Sequence, residues 1–216
     1  MTTDRRQFLK TSTATGLIAA APHIAQAQNG NNNTIKVGLI GCGGRGTGAA
    51  NQALKADPNV RLWALADAFP EKIEGALANL SANPDFAKRI EVPKERRFSG
   101  LDGYLGLINS GVDVVLMAPP PGFRPQHLRA AIEAGKHVFA EKPMAVDMAG
   151  IHSVLQSAKL ADEKKVSIQH GFCWRFHPGT RAGYAKVLGG ELGPVRTAYG
   201  TYMSSPVRPL ADDAKQ

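Results

Sequence analysis

The stretch VGLIGCGGRG, residues 37–46, ends in three glycines with the spacing Gly41-x-Gly43-x-x-Gly46. The run before them, Ile35–Ile40, is rich in β-branched and aliphatic residues and is closed by glycine, a pattern typical of a buried strand. Small and apolar residues suited to a helix follow directly. A strand, a tight turn and an immediate helix place main-chain N–H groups where they can bind phosphates. The alternative is a glycine turn that holds no ligand.

Each glycine meets a separate demand of a phosphate-binding turn. Gly41 permits the sharp bend, Gly43 lets the backbone approach a diphosphate, and Gly46 allows close packing of the helix on the strand. The intervening residues Cys42, Gly44 and Arg45 belong to the same predicted cofactor-binding segment, which the following helix continues over 44–56.

A carboxylate follows at the distance that a dinucleotide site requires. The second predicted strand, 60–66, leads into Asp67, which lies 21 residues after Gly46 (67 − 46 = 21). An acid at this position accepts hydrogen bonds from ribose hydroxyls and repels a 2′-phosphate, so the sequence predicts NAD rather than NADP. Arg45, close to the expected diphosphate, can relax that preference.

Strands and helices alternate over the rest of this region. Pro70 opens a helix, and Pro84 and Pro93 break any long element between 81 and 100. Gly135 is a predicted C-cap. Alternation at these lengths predicts an α/β fold, a doubly wound parallel Rossmann sheet over 35–170. Further helices are predicted at 101–110, 126–134 and 147–161, and strands at 112–117, 137–140 and 165–169, with a short edge strand near Arg97 and Phe98.

The pattern changes from residue 171 onward. A helix is predicted from His177-Pro178 to Leu188, and 195–203 alternates like a strand. That strand has no visible partner downstream, and an unpaired strand is a liability. We therefore expect 171–216 to be the start of a second α/β domain that the sequence leaves incomplete.

Composition argues against several classes of protein. The chain has 216 residues, of which 43% are hydrophobic, as in globular proteins, and a net charge of +8. Its basic residues are scattered, and the densest cluster, 94–97, is interrupted by Glu95, so no nucleic-acid partner is predicted. Cys42 and Cys173 are the only cysteines, which gives neither a disulfide framework nor a metal site.

The N-terminus has the order of an export signal. Arg5 and Arg6 precede a short apolar stretch and the small-x-small site that ends at Ala27. The segment TDRRQFLK resembles the twin-arginine signal. We therefore predict a signal over 1–27, a polar linker over 28–34, a periplasmic or otherwise exported protein, and no stable membrane span. A disordered basic tail is the alternative.

The segment AGKHVFAEKPMAVD, residues 134–147, with APPPGFRPQH before it, resembles the Gfo/Idh/MocA oxidoreductases, which include glucose–fructose oxidoreductase and inositol dehydrogenase. The resemblance covers about 34–205. It implies a Rossmann domain followed by a substrate domain with an open sheet. It also implies hydride transfer between a nicotinamide cofactor and a sugar, inositol or related polyol, with dimers or tetramers common in the family.

The resemblance also implies roles for individual residues. Lys142 matches the catalytic lysine of the E-K-P motif, beside the nicotinamide and the substrate hydroxyl, and would help to move a proton. Glu141 and Pro143 match the residues that line the cofactor and aim the lysine, and Pro119 packs near the dinucleotide. Arg175 falls where a residue often faces the substrate. His127 is interpreted as a packing residue.

One departure leaves alternatives open. The family's catalytic Asp and His pair belongs to the second domain, and no such pair appears before Gln216. A catalytically incomplete dinucleotide-binding fragment is therefore one alternative, and an NAD-using glycosidase of the same family is another. In those glycosidases the motif lysine is replaced, so Lys142 favours redox chemistry. A tightly bound NAD, loaded before export, would reconcile the signal with a nicotinamide enzyme.

Overall fold

The computed structural model describes residues 33–203. The predicted export signal, most of the predicted linker and the stretch 204–216 lie outside the described residues. The described chain forms two compact units, which divide between Gly171 and Phe172.

The first unit alternates strands and helices, as predicted. A 3-10 turn, Lys94–Arg96, precedes its short edge strand. The elements are β1 (Ile35–Ile40), α1 (Gly44–Ala56), β2 (Val60–Asp67), α2 (Pro70–Ser81), α3 (Pro84–Ala87), β3 (Arg97–Ser99), α4 (Gly103–Ile108), β4 (Val114–Met117), α5 (Arg124–Glu133), β5 (His137–Ala140), α6 (Met148–Lys164) and β6 (Ile168–His170).

All six strands pair in parallel, in the order β3-β2-β1-β4-β5-β6. The chain moves outward from β1 to β3, then returns to β4 on the other side of β1. This reversal opens a crevice at the carboxyl ends of β1 and β4, where ligands bind in sheets of this kind. The predicted Rossmann fold is confirmed.

Helices cover both faces of this sheet. Successive strand residues point to opposite faces, and the buried apolar residues divide accordingly into two clusters. Leu39 and Leu116 pack with α1 and α2, whereas Ile40 and Met117 pack with α4, α5 and α6. The sheet is therefore doubly wound, and the site lies at its carboxyl edge.

Several predicted boundaries need correction. Strand β4 begins at Val114 rather than at 112, and helix α5 begins at Arg124, ahead of the predicted 126. The predicted strand at 165–169 is displaced, because Lys165 caps α6 in the left-handed conformation with φ of 57° and β6 begins only at Ile168. The displacement of β6 follows from how α6 ends, which periodicity does not encode.

The second unit contains a 3-10 turn, Cys173–Arg175, and helix α7, Pro178–Leu188, which confirms the predicted helix; its N-cap is His177. The predicted strand over 195–203 is wrong, because this segment has no regular structure. A strand needs a neighbour for its N–H and C=O groups, and residues 195–203 pair with no other segment of the described chain.

Candidate dinucleotide site

Two of the turn glycines are required by packing within the protein. Gly41 has φ of +88°, and a Cβ there would lie 2.6 Å from the carbonyl carbon of Ala118 at the end of β4. A Cβ on Gly46 would lie 1.8 Å from the carbonyl oxygen of Gly41. Helix α1 can therefore start directly against β1 and β4 only because both side chains are absent.

The other two glycines of the turn are not explained by packing. A Cβ on Gly43 or Gly44 would meet no atom within 4 Å, and both residues are exposed. Gly43 has φ of −68°, which any residue can adopt. The space above them is a cradle that a side chain would fill, at the positive end of α1. The residues present therefore fit a dinucleotide diphosphate.

Asp67 is fixed by two main-chain hydrogen bonds. Its Oδ2 accepts from the Cys42 N–H at 2.7 Å, and its Oδ1 accepts from the Phe69 N–H at 3.0 Å. An ionised carboxylate has about four acceptor positions. Asp67 thus retains acceptor capacity for the two hydroxyls of a ribose while its own orientation is held by the glycine turn.

Cys42 is a packing residue of the turn. Its side chain is 4% exposed, and its Sγ lies 3.6 Å from the carbonyl oxygen of Ala66. Burial, followed by the charge of Asp67, raises the pKa of the thiol to about 12. Cys42 therefore stays a neutral thiol at physiological pH and contributes its N–H, rather than its sulfur, to the site.

An ion pair joins α1 to the end of β5. The Nε of Arg45 donates to Oε1 of Glu141 at 2.7 Å, and a terminal nitrogen of the same guanidinium also pairs with that oxygen. The first turn of α1 contains no acidic residue, and Arg45 there adds a positive charge to the positive helix end. The Glu141 side chain is 8% exposed and the Arg45 side chain 50%, so the guanidinium remains open to an anionic ligand.

The E-K-P segment leaves the sheet at the same edge. The Glu141 N–H donates to the Met117 carbonyl at 2.9 Å, which aligns this segment with the end of β4. Lys142 is exposed, and it has no hydrogen bond or ion pair to any of the residues described here. The Lys142–Pro143 peptide bond is cis, and Pro119 is buried beyond β4.

Sequence reasoning missed Arg124, the first residue of α5. Its side chain is 3% exposed and donates to the carbonyl oxygens of Pro119, at 2.5 Å, and of Pro143. Burial lowers the pKa of this guanidinium, and the charge of Glu141 opposes that shift. The available signal was an arginine in the first turn of a helix, where a cation is unfavourable unless other groups hold it.

His127 lies next to this arginine and is buried, with 6% exposure. Its ring stacks on Tyr104 at a centroid distance of 4.0 Å. Burial, and then the charge of Arg124, lowers the pKa of the imidazole to about 4. The ring is neutral at physiological pH, as a packing residue would be.

Arg175 belongs to the second unit, where it ends the 3-10 turn and is exposed. Its predicted role toward the substrate stays a prediction. Within residues 33–203, no three His, Cys, Asp or Glu side chains are grouped as metal ligands would be. No helix in this range is long and apolar enough to cross a bilayer.

Sequence comparison identifies several relatives of this chain. The chain is 29% identical over 185 residues to dTDP-3,4-didehydro-2,6-dideoxy-alpha-D-glucose 3-reductase of Actinomadura kijaniata, covering 84% of this chain and 49% of the relative. It is 25% identical to a glycosyl hydrolase family 109 protein of Shewanella pealeana (strain ATCC 700345 / ANG-SQ1), covering 74% and 38% respectively.

Among solved structures, scyllo-inositol dehydrogenase from Lactobacillus casei with bound NAD(H) and scyllo-inositol aligns with a TM-score of 0.59 at 25% identity. That alignment covers 74% of this chain and 42% of the dehydrogenase. The chain thus spans half or less of the length of these relatives. The model of the oxidoreductase family with an NAD-binding Rossmann fold, GFO_IDH_MocA, matches residues 35–172. The chain belongs to this family.

Proposed function

We propose that this protein is an NAD-dependent oxidoreductase that transfers a hydride between the nicotinamide and a CH–OH carbon of a sugar, inositol or related polyol. The observation that carries the proposal is the open cradle at Gly43 and Gly44, which has no explanation in packing. Relatives named as a sugar 3-reductase and an inositol dehydrogenase support the substrate class.

Each residue of the crevice has a chemical task in this proposal. NAD, when bound, supplies the hydride acceptor. The N–H groups of the glycine turn hold its diphosphate, and Asp67 accepts from its ribose. Lys142 lies exposed at the carboxyl end of β5. As an amine it accepts the hydroxyl proton when the hydride passes to NAD, and as an ammonium group it stabilises negative charge on the substrate oxygen and returns the proton in the reverse reaction.

The test begins with the full-length protein from its native source. We expect it to contain NAD after purification and to form NADH with at least one member of a panel of inositols and sugars. Lys142→Met should lower kcat by about 10²- to 10⁴-fold, as loss of a proton-transfer group does, and change the Kd of NAD by less than threefold. Protein without nucleotide and without turnover of any polyol would contradict the proposal.

Asp67 decides the choice of cofactor in the same proposal. Asp67→Ser removes the carboxylate that repels a 2′-phosphate, so we expect the KM for NADP to fall and that for NAD to rise. Asp113 is a matched control, because it is a carboxylate whose Oδ2 accepts a hydrogen bond from the Lys36 N–H at the start of β1. Asp113→Ser should leave the ratio of the KM for NAD to the KM for NADP unchanged.

An NAD-using glycosidase is the second candidate, because a glycosyl hydrolase family 109 protein is among the relatives. The presence of Lys142 favours redox chemistry. Release of an aglycone from a glycoside with no net NADH would support the glycosidase instead. A dinucleotide-binding fragment without catalysis would bind NAD but turn over neither class of compound.

We also propose that residues 1–27 direct the protein through the twin-arginine machinery with NAD already bound. The support is the pair Arg5 and Arg6 followed by the small-x-small site. Replacing both arginines with lysine should retain the protein in the cytoplasm, which fractionation and immunoblotting would detect. Unchanged export of the double variant would contradict this route.

A further inference from the structure

Beyond Met117 and Glu141, the β4–β5 ladder has no continuation. The last pair is Met117 with Ala140, followed by the hydrogen bond from Glu141 N–H to the Met117 carbonyl. After this point the chain enters two segments, 118–123 and 142–147. Three consecutive prolines follow Ala118, and Pro143 follows Lys142. Proline has no N–H, so these positions cannot extend the ladder toward each other.

Arg124 supplies the donors that the prolines lack. One terminal nitrogen of its guanidinium donates to the Pro119 carbonyl at 2.5 Å, and the other donates to the Pro143 carbonyl. The two carbonyls come from different loops, which follow β4 and β5. A planar guanidinium can hold two acceptors in a fixed geometry, whereas a lysine ammonium is a single point of charge.

Burial of the Arg124 side chain costs free energy, which indicates that Arg124 has a role beyond packing. Arg124 is 3% exposed, and its Nε has no partner among the described residues. A buried guanidinium at the start of a helix is unfavourable both by desolvation and by the helix dipole. The negative charge of Glu141 partly offsets this cost, because it favours the charged form of Arg124. A residue that served only to fill space here would be apolar.

We propose that Arg124 is a positioning residue, which acts through the Pro143 carbonyl to hold Lys142 at the place where nicotinamide and substrate meet. The inference rests on the proposed function of Lys142 but not on the identity of the polyol. The inference predicts that loss of the two-carbonyl bridge affects proton transfer by Lys142 and leaves the diphosphate site intact. The reason is that the hydrogen bonds of Arg124 go to the Pro119 and Pro143 carbonyls and not to the glycine turn.

The first experiment is a double-mutant cycle on the full-length protein. Arg124→Lys keeps the charge but cannot bridge both carbonyls, and we expect kcat to fall by at least tenfold, with the Kd of NAD changed by less than threefold. In a Lys142→Met background the same substitution should lower kcat by less than twofold, because residues that act as one unit are not additive. Equal losses in both backgrounds would overturn the inference and indicate a merely structural role.

The second experiment needs no turnover. Acylation of Lys142 by an amine-specific reagent, followed by peptide mass spectrometry, measures how far bound NAD protects this side chain. We expect strong protection in the wild type and at least fivefold weaker protection in Arg124→Lys at saturating NAD. Equal protection in both proteins would overturn the positioning role. Absence of protection in the wild type would instead count against the proposed function of Lys142.

A control variant comes from the same helix. Arg129 is more exposed, with 43% of its side chain accessible, and pairs with Glu133 at 2.5 Å. Arg129→Lys should change neither kcat nor the protection of Lys142. If Arg124→Lys does not fold, Arg124→Gln retains a terminal amide donor for one carbonyl, and the same two readouts apply to it.

Discussion

At the scale of single residues, the turn glycines lack side chains for different reasons. A Cβ added to Gly46 would lie 1.8 Å from the Gly41 carbonyl oxygen, whereas a Cβ added to Gly43 would meet no atom within 4 Å. The first requirement comes from the protein, and the second comes from a ligand. Alanine substitutions at Gly43 and Gly46 should therefore have different effects, one on NAD binding and the other on stability.

Gly43→Ala should fold normally and bind NAD poorly. The φ of −68° suits alanine, so the free energy of unfolding should change by less than about 1 kcal/mol, while the Kd of NAD rises about tenfold or more because the Cβ occupies the cradle. Gly46→Ala should instead lower the free energy of unfolding by at least about 2 kcal/mol, as overpacking does. Urea denaturation and NAD titration measure both. Equal stability of the two variants would contradict this explanation.

His127 makes stability depend on pH. Its pKa is lowered from 6.5 to about 4 in the folded protein, so the unfolded chain binds more protons between these values. Stability from this group is present above pH 6.5 and is lost as pH falls toward 4. Between pH 7 and pH 5 the loss should be about 2 kcal/mol.

The measurement compares urea unfolding of the wild type and His127→Gln at pH 7 and pH 5. Carboxylates and exposed histidines contribute equally to both proteins, so the difference isolates the buried ring. We expect the variant to lose about 2 kcal/mol less than the wild type on acidification. Parallel pH profiles would show that the ring is not held neutral by its surroundings.

At the scale of elements, α4 shows why glycines are present in a helix that they weaken. A Cβ on Gly106 would lie 2.4 Å from the ring of Phe98 in β3, and one on Gly103 would lie 2.7 Å from the Phe98 carbonyl oxygen. The helix thus approaches the edge strand by omitting side chains on one face. Gly75, in α2, is exposed and meets nothing within 4 Å.

Replacing Gly75 and Gly106 with alanine should change the free energy of unfolding in opposite directions. Gly75→Ala should raise the free energy of unfolding by about 0.5–1 kcal/mol through helix propensity. Gly106→Ala should lower it by about 1–3 kcal/mol, because the added carbon displaces the Phe98 ring. Thermal and urea denaturation at one pH measure both changes. A stabilising Gly106→Ala would show that α4 can move away from β3 without cost.

At the scale of the whole described molecule, buried apolar residues are confined to the first unit. They extend from Val37 to Ala161, and nearly every residue in 172–203 is exposed. Burial of apolar surface is the main source of stability. The first unit therefore contains what it needs to fold, and 172–203 adds little burial of its own.

A fragment spanning 33–171 should consequently fold cooperatively and bind NAD. We expect its Tm to lie within about 5 °C of the Tm of the 216-residue chain, since a difference of about 1 kcal/mol corresponds to roughly that shift. Limited proteolysis of the longer chain should cut first within 172–203. A fragment that unfolds without a transition, or early cleavage within β1 to β5, would contradict the assignment of stability to the first unit.

The amino-acid sequence alone predicts the fold class, the strand that precedes the glycine turn, and Asp67 at the end of β2. These features are local, because hydrophobic period, turn glycines and spacing along the chain are written within short windows. The edge strand at Arg97–Ser99 is also predictable, because its signal likewise lies within a short window of the sequence. The predicted strand over 195–203 is wrong because a strand exists only through a partner, which a short window of sequence does not reveal.

The three-dimensional fold determines which polar groups meet at the carboxyl edge of the sheet. Arg45 and Glu141 are 96 positions apart, and Arg124 joins two proline segments that follow different strands. The crossovers fix these encounters by placing β1, β4 and β5 side by side, so that chain ends distant in sequence share one edge. A buried arginine at a helix start is understandable only when the carbonyl oxygens that it holds are known.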